Sequence, residues 1–64
     1  MLTVGTRIRD NDPDLRAPRI LTIASVDGDN VVATNTSTGK STKIAAKRIF
    51  SDGKARRSGY STLR

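Results

Sequence analysis

The apolar positions of this chain come in short alternating groups and not at helical spacing, which points to strands from the outset. Ile20 to Val26, ILTIASV, is rich in β-branched residues and sets Leu21 and Ile23 on one face with Thr22 on the other. Asn30 to Thr36 alternates again, with Val31 and Ala33 turned inward, and Ser41 to Ala45 brings Ile44 back to the same face. Between these runs stand Asp27-Gly28 and Ser37-Thr38-Gly39, whose glycines supply the positive φ angles of tight turns. The stretch from Arg19 to Ile44 therefore predicts a three-stranded antiparallel meander. Val26 falls out of phase with Leu21 and Ile23, and a bulge or local twist before the first turn would restore it to the core side.

The flanks are less regular. Thr3 to Arg9 predicts a first strand, with Val4 and Ile8 on one face and Arg7 and Arg9 on the other. Asp10 to Arg19 contains Pro13 and Pro18 among aspartates and an asparagine, a loop of about ten residues. Ala46 to Phe50 predicts a single helical turn; the rival is a helix from Thr42 to Phe50 capped by Ser41, presenting Lys43, Lys47 and Arg48. Ser51 to Gly59 is polar and basic, a loop or mobile arm. Tyr60 to Leu63 then forms a last strand in which Tyr60 or Leu63 covers the open end, unless everything from Ser51 onward is a tail. Together these elements predict an all-β fold, a small SH3-like barrel of about five antiparallel strands with one short helical turn before the last strand. Pairing of the first and last strands would remove the sheet edges. The alternative is an open sheet of three or four strands that completes its core by dimerising.

Composition narrows what such a fold can do. The chain of 64 residues is a single domain, and a domain of this size buries only about 60% of its surface. It has no cysteine, histidine or glutamate, which removes disulfides, thiolate nucleophiles and the common zinc ligands. A general base would have to be a solvated aspartate or a lysine, so no enzymatic activity and no cofactor are expected. Asp10, Asp12 and Asp14 have the spacing that opens a calcium loop, but Leu15 and Leu21 stand where that loop needs glycine and glutamate. Thr38-Gly39-Lys40-Ser41-Thr42 ends like a phosphate-binding loop, yet Thr34 occupies the place of its first glycine and a strand follows. Both segments are better explained as turns. No apolar run approaches the ~20 residues of a membrane span, and the opening MLTVGTRIRD lacks the apolar core of a signal peptide.

Charge supplies the functional signal. The formal net charge is +6, and it is unevenly spread. Residues 1–39 carry four arginines against five aspartates, whereas residues 40–64 carry eight cations against Asp52 alone, a surplus of seven. That asymmetry is the footprint of a polyanion partner, either nucleic acid or an acidic protein surface. The candidate contacts are Lys40, Lys43, Lys47, Arg48, Lys54, Arg56 and Arg57. Such point charges neutralise phosphates with strong salt dependence and little sequence preference. The aromatic residues are Phe50 and Tyr60, and a thin core claims both, so duplex or backbone contact is favoured over base stacking. The same shortage disfavours an aromatic cage or a polyproline groove.

Val4-Gly5, Arg9-Asp10-Asn11-Asp12-Pro13, Val26-Asp27-Gly28-Asp29, Asn35-Thr36-Ser37-Thr38-Gly39, Thr42-Lys43-Ile44 and Gly59-Tyr60 together resemble a group of short phage and prophage proteins. The resemblance spans nearly the whole chain and rests on turn and strand signatures. It implies a small barrel of KOW or Tudor type and a phage gene product in a bacterial host, whose reducing cytoplasm fits the lack of disulfides, and it carries no catalytic or binding residue. The expected function is a basic binding module contacting nucleic acid, as a monomer or weak homodimer. The alternatives are a modulator that binds a host protein through a strand edge or barrel face, and a structural protein of the phage particle.

Overall fold

The computed structural model describes residues 2–14, 19–54 and 57–63. The chain is all-β. Its strands are β1 (Arg7–Asp10), β2 (Ile20–Asp27), β3 (Asn30–Asn35), β4 (Ser41–Ala45), β5 (Ile49–Phe50) and β6 (Tyr60–Thr62), with a 3-10 turn at Ala46–Arg48. They form one curled half-barrel sheet in the order β4-β3-β2-β1-β6-β5. All neighbours are antiparallel except β5 and β6, which run parallel.

The meander forms where the alternation predicts it. Ile8, Leu21, Ile23, Val31, Ala33 and Ile44 line the concave face and are buried, together with Ile49 from the edge strand β5. The expected bulge is present: Ile23 pairs with Ala33 and Ser25 with Val32, leaving Ala24 as the extra residue. Val26 thereby pairs with buried Val31, but at the end of the sheet it stays 45% exposed. Gly28 and Gly39 have φ of +58° and +75°, the left-handed values their turns demand. The segment around Lys40 is therefore a hairpin and not a phosphate loop.

The N-terminal expectation needs correcting. Strand β1 begins at Arg7, and Val4 is 65% exposed. The cause is a turn: the Thr6 amide donates to Thr3 O at 3.1 Å, Gly5 takes φ +93°, and the Gly5 amide donates to Ile23 O at 2.8 Å. Leu2 packs on the core where Val4 was expected.

At the C-terminal end the single helical turn is found and the longer helix is not. The Ala46 amide donates to Asp29 O at 2.8 Å, which extends the β3–β4 ladder by one pair and leaves room for only a 3-10 turn, closed by Ile49 N–H to Ala46 O. The additional strand, β5, is two residues long, too short to show alternation. The last strand is paired on both sides, with β1 and with β5. First and last strands thus meet as expected, while β4 and β5 remain the two ends of the sheet and leave an open seam. No helix among the described residues is long and apolar enough to cross a membrane.

Candidate nucleic-acid interface

Three of the basic residues gather beside the seam. A cleft of about 460 Å³ runs along it, with Lys43, Ile44 and Ala45 on one side, Arg48 at the end, and Arg57, Ser58, Gly59 and Tyr60 on the other. Lys43 sits mid-way along edge strand β4, opposite Val32 and out of phase with the buried Val31 and Ile44 pair. Arg48 ends the 3-10 turn, immediately before buried Ile49, which holds the turn against the core.

Arg57 reaches the cleft because the segment after it is anchored by Asn11, the residue that follows β1. Asn11 is 7% exposed, and its side-chain amide donates to Ser58 O at 3.2 Å and to Ser61 Oγ at 2.9 Å, while its backbone amide donates to Gly59 O at 3.0 Å. Gly59 is buried with φ +71°, and a Cβ there would lie 2.7 Å from Arg48 O and 2.9 Å from Phe50 Cε2. The backbone of the 3-10 turn and that of the 57–60 segment therefore meet at a point only glycine fills. Asn11 and Gly59 thereby fix the backbone beside Arg57 and Arg48.

Asp10 and Asp12 also line the cleft. Their carboxylates act mainly within their own loop: Asp10 Oδ1 accepts from the Asp12 amide at 3.0 Å, and Asp12 Oδ1 accepts from the Asp14 amide at 2.9 Å. Asp10 also pairs with Arg19 at 3.3 Å, which offsets its charge locally. The turn role is the one expected of these aspartates.

A second, smaller cleft of about 270 Å³ shares Asp10 and Tyr60 with the first and adds Arg19, Asn35, Thr38 and Lys40. Tyr60 is half-buried against the core. Of the seven candidate residues, Lys43, Arg48 and Arg57 come together, and Lys40 lies in the adjoining cleft. Lys47 turns elsewhere, beside Asp29, Asn30 and Ala46. Lys54 is exposed in a turn where its amide donates to Asp52 Oδ1 at 3.1 Å, and Arg56 lies outside the described residues.

Sequence reasoning missed Asn11, read only as a turn former, and Gly59, read only as part of a polar loop. Nothing local distinguishes a buried asparagine whose partners are 47 and 50 residues away. No protein-family model matches this chain, and neither the curated proteins nor the solved structures contain a match to it.

Proposed function

We propose that this chain is a non-enzymatic basic binding module that contacts the phosphate backbone of nucleic acid, duplex in preference to stacked single strands. The observation that carries this is the convergence of Lys43, Arg48 and Arg57, from three different elements, on one open cleft beside Lys40. The half-buried state of Phe50 and Tyr60 adds support, since neither ring stands out as a free stacking platform. The phage resemblance, the SH3-like assignment and a bacterial cytoplasmic setting belong to the same proposal.

The test is a salt titration with a short random-sequence duplex, following anisotropy. Each phosphate contact contributes about 0.9 to the slope of log K against log salt. Replacing Lys43, Arg48 and Arg57 by alanine should lower the magnitude of that slope by about 2 to 3, while Lys47→Ala with Lys54→Ala should change it by less than about half as much. Absence of binding even at low salt, with a host protein captured whether or not nuclease is present, would replace this function by the modulator alternative.

A further inference from the structure

The free edge of β4 has a definite hydrogen-bonding phase. The Asn35 amide donates to Lys40 O at 2.8 Å and the Ala46 amide donates to Asp29 O at 2.8 Å, so both ends of the β3–β4 ladder are hydrogen-bonded pairs in one register. Alternation of an antiparallel ladder then assigns Lys40, Thr42, Ile44 and Ala46 to the side facing β3. The backbone N–H groups of Ser41, Lys43 and Ala45 and the C=O groups of Ser41 and Lys43 project the other way, into the seam, while the Ala45 C=O, at the N-cap, serves the 3-10 turn. β4 ends the sheet, so no strand of the described residues covers them, and Ser41, Thr42 and Lys43 are exposed.

An unpaired row of this kind is a template for strand addition. Chemistry selects the occupant. A two-fold pairing of β4 with a second copy that used all three outward residues would centre on Lys43 and set it against the other Lys43, and like charges directly opposite destabilise a sheet. An acidic residue opposite Lys43 reverses that sign, and Arg48 and Arg57 line the cleft into which the added strand would lie, where Asp10 is paired with Arg19 and Asp12 accepts from its own loop. On the other face, the neighbours of that acidic residue would pass over Thr42 and Ile44, which suits β-branched side chains.

We propose that the β4 edge receives an extended peptide alternating acidic and β-branched residues, added antiparallel as a further strand. This goes beyond the nucleic-acid function, because it rests on main-chain groups and either can hold without the other.

The probe is a capped peptide of about seven residues alternating glutamate with threonine, added to the intact chain while amide exchange is followed by NMR. Exchange at Ser41, Lys43 and Ala45 should slow by about tenfold or more, with Thr42 and Ile44 unaffected because β3 already binds them. The same peptide with lysine for glutamate should give no protection, and Lys43→Glu should invert that preference. Ser41→Pro removes one outward N–H and none from the β3 ladder, so the fold should persist while affinity falls about fivefold. Four results would overturn the proposal: shifts without the alternating protection, equal protection by the lysine peptide, protection that grows with protein concentration alone, or the same pattern induced by a duplex oligonucleotide.

Discussion

The meander, β2 to β4, and the segment that follows it, residues 46–63, are built by opposite means. In the meander every strand pairs with its neighbour in sequence across a short turn, and the buried residues Leu21, Ile23, Val31, Ala33 and Ile44 fall at alternating positions. In the second region Ile49 and Gly59 are the buried positions among the described residues, and the chain is held from a distance, through the β1–β6 ladder and Asn11. The first region carries little net charge and the second most of the surplus. Local patterning makes the scaffold and places Lys43 on it, and long-range hydrogen bonds bring the segment that carries Arg57 alongside.

The largest expected effect tests the scaffold. Ile23 is fully buried, and Ile23→Ala should cost about 3 kcal/mol, a large share of what a domain this small has. Chemical denaturation should show both regions lost in a single transition; separate transitions would mean that the second region does not depend on the first. Gly59→Ala comes next, at about 2 kcal/mol or more, from the positive φ and the contact with Arg48 O and Phe50. It should also weaken duplex binding by moving Arg48 and Arg57 apart, which an equally destabilising change inside the meander should not do in the folded fraction. Asn11→Ala should cost about 1 to 2 kcal/mol through the unsatisfied Ser58 carbonyl and lost Ser61 contact. Its signature is regional: amide exchange should rise across β6 and stay unchanged in β2 and β3.

The contrast also explains what could be read from the chain in advance. Period-two alternation and Asp27-Gly28 were enough for the meander, its core face and even the bulge before Val26, because each signal lies within a few residues of its effect. Val4 was misassigned because Gly5 makes a turn there, stabilised by Ile23 O, a partner supplied by tertiary structure. The gathering of Lys43, Arg48 and Arg57 was legible only as a charge surplus. Which cations would meet depended on the curl of the sheet, on the ladder limiting the helix at Ala46, and on Asn11 reaching across to Ser58. Lys47 and Lys54 carry the same charge in the same stretch, yet Lys47 lines a different recess and Lys54 is exposed outside the cleft lining, a distinction that charge counting cannot make.

The division between scaffold and recognition surface is tested most directly by a residue-resolved NMR titration of the intact chain with a short duplex at two salt concentrations. Amide shifts should concentrate at Lys43, Arg48 and Arg57 to Tyr60, shrink as salt rises, and leave the Asp27-Gly28 turn and its flanking residues still. Largest shifts at that turn, or at Val4 and Gly5, would contradict the account.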